Sequence, residues 1–222
     1  MGKNEKYREI FLTSHRLFLS QGYDSATIRQ ISEAAGVSLG LTNHFFYSKQ
    51  YLAGQVLHMV SSYTASRCKK LHPSQDSLLR TVLHTRVSTL YLLGGSYRRF
   101  YVESLRQDVM LHSPEEGPDR SLARLAKIYG FPADDDLFLL YGTYVPAGYE
   151  KSLILGKERS LFPTIAWDEI PDYITISSLE HFLDSRVLAQ ALSKARQAAG
   201  DILKTMPSVV PDSFVSQYLD RL

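Results

Sequence analysis

Cysteine is almost missing from the 222 residues: Cys68 stands alone. One thiol can form neither an internal disulfide nor a cysteine-rich zinc cage, and a reducing compartment fits that usage. No stretch of eighteen uninterrupted apolar residues occurs, so a membrane-spanning helix is excluded. The opening Met1-Gly2-Lys3-Asn4-Glu5-Lys6 has no apolar signal-peptide core, and the expectation is a cytoplasmic protein with no membrane partner. Thirteen glycines and nine prolines are too few for a collagen-like chain or a linker, and there is no internal repeat or low-complexity tract. The motifs of catalysis are missing too. Nucleophile elbows, zinc-binding histidine pairs at helical spacing, phosphate loops and dinucleotide glycine patterns do not occur, and the seven histidines are scattered. Asp134-Asp135-Asp136 lacks the glycine and distal glutamate of a calcium loop and precedes an apolar run, where acids complement a helix dipole. Cys68 follows Arg67, but no histidine base can be assigned to it. The expectation is a non-enzyme with no metal and no cofactor.

What is present is enough apolar material for a sizeable core, at 44% hydrophobic and 11% aromatic residues, and an uneven charge. Divided at His72-Pro73, the first segment holds nine Lys/Arg against four Asp/Glu. Its net +5 leaves −3 for the rest of a chain whose total is +2. A small basic segment joined to a larger acidic one suits a nucleic-acid reader fused to another module.

The periodicity is helical throughout, with no sustained alternation that would call for a sheet. Tyr7, Ile10, Phe11, Leu17 and Phe18 share one helix face with Ser14, and Gly22 is a natural stop. Thr27-Ile28-Arg29-Gln30 reads as a capping box opening a second helix, which buries Ile28, Ile31 and Ala35. Gly36 closes that helix, Val37 packs inward, and Ser38 caps a third helix running to about Phe46. Two short helices joined by a glycine-containing turn form a helix-turn-helix, whose second helix is presented to the DNA major groove; a generic helical hairpin shares the pattern. Ser48 then caps a fourth helix, to about Leu71, with Leu52, Val56, Met59, Val60 and Tyr63 on one face and Arg67, Lys69 and Lys70 at its negative pole.

The run Leu17-Phe18, Gly22-Tyr23, Thr27-Ile28, Ile31, Ala35-Gly36-Val37-Ser38, Gly40, Phe46, Ser48-Lys49 and Leu52 resembles the DNA-binding domain of the TetR family of bacterial transcriptional regulators. The resemblance covers about the first quarter of the chain. It implies phosphate contacts at Thr27, Ser38 and Lys49, with Gly40 letting the backbone approach the duplex. Hydroxyls, a helix amino terminus and a lysine are good phosphate partners. Base-edge readout falls to Leu39, Leu41, Asn43 and His44: Asn43 can pair bidentately with adenine, His44 can meet guanine or phosphate, and a leucine can touch a thymine methyl. Two positions depart from the family pattern. Asn43 stands where a phosphate-contacting tyrosine is usual, with Tyr47 able to supply a phenol instead, and Thr42 stands where a larger apolar residue is usual.

Beyond Pro73 helical segments are expected at Leu78-Leu93, Tyr97-His112, Ser121-Tyr129, Leu137-Leu155, Ile174-Leu183 and Ser185-Met206. Breaks fall at Gly94-Gly95, 113–119, Pro132, 156–171 and Pro207-Pro211. The fold class is therefore all-α. The expected domains are 1–72, helix-turn-helix with the connecting fourth helix, and 73–222, which the resemblance implies is a larger ligand-binding and dimerisation domain. It implies a homodimer on double-stranded operator DNA, most commonly a repressor, released by a small-molecule effector. Val187, Leu188, Ala191, Leu192, Ala195, Ala198 and Ala199 suit either a two-fold interface or packing within one subunit. The candidate effector pocket is aromatic: Tyr97, Tyr101, Phe138, Tyr141, Tyr144 and Trp167 with Met110, alongside Tyr91, Tyr149 and Phe162. Arg98, Arg99 or Glu103 would meet a charged end, and Gly142, Pro146 and Gly148 would weaken or kink the helix beside it. These walls point to a largely apolar or aromatic effector; a DNA-binding adaptor without a pocket, controlled by a protein partner, is the alternative.

Overall fold

The computed structural model describes residues 3–112, 120–132 and 134–221. The expected break at 113–119 lies outside them. Among the described residues there are helices and no strand, and no helix is long and apolar enough to cross a membrane. The chain forms two compact units, 1–63 with 92–114 and 207–222, and 64–91 with 115–206. Each is built from segments on both sides of His72-Pro73.

The first unit begins with α1 (Lys3–Ser25), whose helical pattern runs past Gly22 although that residue itself leaves helical geometry at φ 81. Then come α2 (Ile28–Ala34), α3 (Leu39–Phe46) and the start of α4 (Lys49–Leu71). The apolar stripe of α1 buries Ile10, Phe11 and Phe18 completely, and Phe18 stacks on Phe100 of α6 (Arg98–Arg106) at 4.8 Å. The segment expected to be helical from Tyr97 to His112 is interrupted at Gln107-Asp108, where Asp108 takes φ 52, before a short α7 (Val109–His112). One element escaped the sequence reading. After the prolines, α13 (Asp212–Leu219) packs on α1: Tyr218 lies 6.2 Å from Phe11, Arg16 pairs with Asp212 at 3.5 Å, and Arg8 pairs with Asp220.

The second unit contains the end of α4, most of α5 (Ser77–Leu93), α8 (Arg120–Tyr129), α9 (Asp135–Leu139), α10 (Val145–Glu158), α11 (Ile170–Leu179) and α12 (Ser185–Lys204). Asp134 caps α9 by accepting from Asp136 N and Leu137 N. A π turn at Leu140–Tyr144 joins α9 to α10, immediately before Pro146, whose missing N–H cannot continue a regular ladder. Apolar residues of α5, α8 and α12 share one core with Phe138 and Leu179. An ionic knot stands beside it: Asp172 accepts from Arg86 at 2.9 Å and from Arg196 at 2.7 Å, so the buried carboxylate and the buried Arg86 neutralise each other.

The α12 stripe settles between its two readings. Leu188, Ala191, Leu192, Ala195 and Ala199 are buried inside one subunit, with Val187 and Ala198 packed against the same core. An amphipathic helix has one apolar face, and here its own unit uses it. The outward face carries Arg186, Gln190, Ser193, Lys194 and Gln197.

His15 is the buried polar centre of the first unit. Its Nε2 lies 2.7 Å from the Tyr97 hydroxyl, which accepts from Val210 N at 3.2 Å, so the phenol proton is directed to a neutral imidazole. Burial pushes His15 down from 6.5 to about 4, outweighing the opposing pull of Asp212. Folded chains therefore keep the ring neutral while unfolded chains protonate it below pH 6.5, so this contribution is complete above that pH and lost as pH falls towards 4. Melts of wild type and His15→Gln should show wild type losing about 2 kcal/mol more between pH 7 and 5. Parallel curves would remove His15 from that role.

Candidate functional site

The turn between α2 and α3 is assembled by local hydrogen bonds. Thr27 Oγ1 accepts from Gln30 N at 3.2 Å while Gln30 Oε1 accepts from Thr27 N at 2.9 Å, a complete capping box. Gly36 takes φ 63, and Val37 N returns to Ser32 O at 3.0 Å. Ser38 then caps α3, its oxygen accepting from Leu41 N at 3.2 Å. The Thr42 departure is explained inside the turn. Thr42 is fully buried, and its Oγ1 meets Ser32 Oγ at 2.8 Å, so a hydroxyl pair joins the two helices where an aliphatic contact would otherwise stand.

α3 has two unlike faces. Thr42 and Phe46 point inward, Phe46 stacking on Tyr7 at 4.6 Å, while Leu39, Gly40, Asn43 and His44 are exposed and Leu41 is half-buried. An added Cβ at Gly40 would meet nothing within 4 Å, so the free protein does not require glycine there. Tyr47 ends the helix at φ 42 with its side chain 77% exposed, 5.5 Å from the Tyr51 ring. An L-residue held in that region costs energy, and the result is a phenol standing in solvent.

The three candidate phosphate contacts differ in readiness. Ser38 keeps its hydroxyl proton for a new acceptor. Thr27 donates its proton to Gln30 Oε1 at 3.0 Å, so a phosphate must compete with the capping box. Lys49 Nζ donates to Tyr23 O at 3.0 Å and sits 4.1 Å over the Tyr23 ring; burial lowers its pKa against the raising influence of Asp24 and Glu103. Two ammonium donors remain. Arg29, which the sequence analysis placed in the capping-box run without a phosphate role, is exposed in the first turn of α2.

This reading head is held from α6. Glu103, 8% exposed, accepts from Asp24 N at 2.8 Å and from Arg99 Nε at 2.9 Å. Arg98 donates to Leu93 O and Arg99 also to Ser25 Oγ, so these three charged residues are engaged inside the first unit.

The aromatic candidates divide between the two units. Tyr97 and Tyr101 are core residues of the first unit, and Met110 is half-buried in α7. In the second unit Phe138 is core, Tyr141 stacks on His181 at 4.7 Å, and Trp167 is half-buried with Lys157 Nζ 5.7 Å over its ring. Tyr144 and Tyr149 are half exposed. A cavity of about 720 Å³ lies in the second unit, but Tyr97, Tyr101, Met110, Phe138, Tyr141, Tyr144 and Trp167 do not line it. Its walls come from the last turns of α4 (Ala65, Cys68, Lys69), the connection to α5 with His72, the first half of α5 (Ser77, Arg80, Thr81, His84) and the start of α8 (Ser121, Arg124). The sequence reading assigned Lys69 only to the helix dipole, and residues from three helices gave no local pattern. Burial pushes the Cys68 thiol up to about 12, far from the thiolate that nucleophilic chemistry requires.

Comparison with known proteins gives the same reading for the first unit. Residues 10–56 match the family described as bacterial regulatory proteins, tetR family. No curated protein matches the chain in sequence. Similar solved structures include full-length TylP, a tetR regulator from Streptomyces fradiae, at 19% identity over 90% of this chain and 98% of that chain, with a TM-score of 0.48. A gamma-butyrolactone receptor described as ArpA-like is 16% identical over 91% of this chain and 100% of that chain, with a TM-score of 0.44. A TetR-family transcriptional regulator from Haemophilus influenzae RD is 15% identical over 88% and 97%, with a TM-score of 0.34.

Gly22 provides a test of the α6 anchor. A Cβ there would come within 2.3 Å of Glu103 Oε2, at a backbone φ of 81 that side chains rarely adopt. Gly22→Ala should cost roughly 2 kcal/mol or more and lower the melting temperature by several degrees. An unchanged melt would show that Glu103 does not hold the turn.

Proposed function

The chain is a member of the tetR family of bacterial regulatory proteins by its amino-terminal domain, and from that premise we propose that it is a repressor that binds a near-palindromic operator as a homodimer and is released by a small molecule. The observation that carries the reading is the exposed edge of α3, where Leu39, Asn43 and His44 stand in solvent between the Ser38 cap and the Tyr47 phenol. In this reading Asn43, His44 and the two leucines Leu39 and Leu41 read bases. Ser38, Tyr47, Lys49 and the amides behind Thr27 hold phosphates, and Gly40 gives the duplex room. Two copies of α3 about 34–36 Å apart enter successive major grooves, which gives the operator its symmetry.

Residues 1–72 serve as the reader with its connecting helix, and 73–222 as the regulatory and dimerising part. α4 is one continuous 23-residue helix that starts at Lys49 beside α3 and ends among cavity residues, so an effector that favours another placement of α4 changes the spacing of the recognition helices. The lining of that cavity sets basic side chains beside an apolar wall, so the effector read from it carries a polar end as well as the apolar body expected from the tyrosines. The match of residues 10–56 to bacterial regulatory proteins supports reading the chain as a regulator without catalysis, acting on DNA in the bacterial cytoplasm.

Because α12 spends its apolar face within the subunit, the homodimer contact is placed on the exposed apolar side chains Leu139, Leu140 and Tyr144 of the second unit. A charge on that surface opposes burial in a two-fold interface. Leu140→Arg should shift the sedimenting species from dimer to monomer at micromolar concentration while the melt of the monomer stays cooperative. A dimer unchanged by the substitution places the contact elsewhere.

Capture of sheared genomic DNA from the source organism near 150 mM salt, with nonspecific competitor, tests the reading head. The native chain should enrich a near-palindromic site. Asn43→Ala, a change at an exposed position, should leave the melt unchanged and weaken that site by roughly 5- to 150-fold, the value of about 1–3 kcal/mol for a base contact. Equal retention of all sequences by both proteins would reduce the basic segment to nonspecific electrostatic binding.

A further inference from the structure

We propose that the cavity of the second unit is a receptor site for a small organic anion, a carboxylate or phosphate monoester joined to a short apolar body. The inference rests on the ligand-responsive reading above and names the chemical class of the effector.

Charge makes the first argument. Lys69, Arg80 and Arg124 line the cavity together with two imidazoles, His72 and His84, and among the described residues no Asp or Glu lines it. The nearby carboxylate of Asp76 is occupied, accepting from Leu78 N at 2.9 Å and Leu79 N at 3.1 Å as the cap of α5. A cleft whose described lining carries lysine and arginine on different helices holds a positive potential that an anion relieves.

Preorganisation makes the second. Arg80 is held in place, its guanidinium donating to Ser74 O at 3.3 Å and Ser77 Oγ at 2.9 Å, which leaves further N–H groups of the planar fork. Nδ1 of His72 is buried with no hydrogen-bond partner, an uncompensated polar atom on a cavity-lining ring. Helices α5 and α8 both bring their first turns to the wall, through Ser77 and Ser121, so two positive helix ends add to the side-chain charge. The C-terminal end of α4 works against an anion, and Lys69 offsets it from the same turn.

Size and the remaining walls describe the rest of the ligand. About 720 Å³ is far more than an inorganic anion fills and lies within the range of metabolite pockets. Ala65, Cys68, Pro73 and Leu83 supply an apolar side, with Cys68 present as an uncharged thiol. The cavity therefore fits a molecule with one anionic end and a small hydrophobic remainder.

Calorimetric titration of the full chain with benzoate, phenyl phosphate and the neutral isostere benzamide, at ionic strength held constant with KCl, tests the assignment. At least one anion should bind, with benzamide at least tenfold weaker; which anion is favoured tells carboxylate from phosphate. Arg124→Gln should weaken the anion at least fivefold. Arg80→Gln should do the same, and its melting curve reports whether the loop it ties has stayed folded. Absence of binding by both anions, equal binding of benzamide, or unchanged affinity in both folded variants would overturn the proposal. Genomic DNA capture on the same preparations separates the two readings. Specific DNA retention without anion binding sinks the ligand assignment alone, whereas arginine-dependent anion binding without specific DNA retention sinks the repressor reading and leaves the site.

Discussion

A single carboxylate sets the geometry on which the reading head depends. Glu103 is nearly out of water, and a charge there is tolerable only because Arg99 and the Asp24 amide both satisfy it. It lies so close beneath Gly22 that no side chain fits between them. Where α1 leaves its helical path, and hence where α2 and α3 begin, is therefore dictated by an acid eighty residues further along, about the length of a small domain. A helix-turn-helix is too small to bury a core of its own, and here Phe100 of α6, Tyr97 just before it and Tyr218 of α13 complete it.

What could be read in advance divides along the distance over which each feature is decided. The capping box at Thr27 and Gln30, the Ser38 cap and the positive φ of Gly36 depend on neighbours a few residues away, and all stand as expected. Asn43 and His44 emerge exposed because helical periodicity alone puts them opposite Thr42 and Phe46. The aromatic candidates could not be located from sequence because periodicity marks a residue as inward-facing without naming what it faces. Tyr97 faces His15 and Val210 in one unit, and Phe138 faces Phe131 in the other. Likewise the stripe on α12 was identified as apolar, but whether a subunit or its copy covers such a stripe is a tertiary outcome.

The arginines of the second unit show how one residue type serves two ends. Arg86 and Arg196 converge on Asp172, and their charge is largely cancelled in joining α5, α11 and α12. Arg80, less than two helical turns before Arg86 on the same helix, finds hydroxyl and carbonyl oxygens and keeps its charge. In the sequence the two are indistinguishable. The difference comes from which side of α5 meets an acid, and it separates a structural knot from a cationic wall.

The pairing of Arg8 with Asp220 spans 212 positions, and α13 covers the face of α1 that would otherwise meet water. During synthesis at about 5–20 residues per second, the first helix of the DNA reader therefore waits roughly 10–40 s for its covering partner. Through that interval the recognition helix is already made while the scaffold that aims it is not. The α1 face is thus covered late, only once α13 has been made, so the fold of the first unit is completed from a segment more than two hundred positions away.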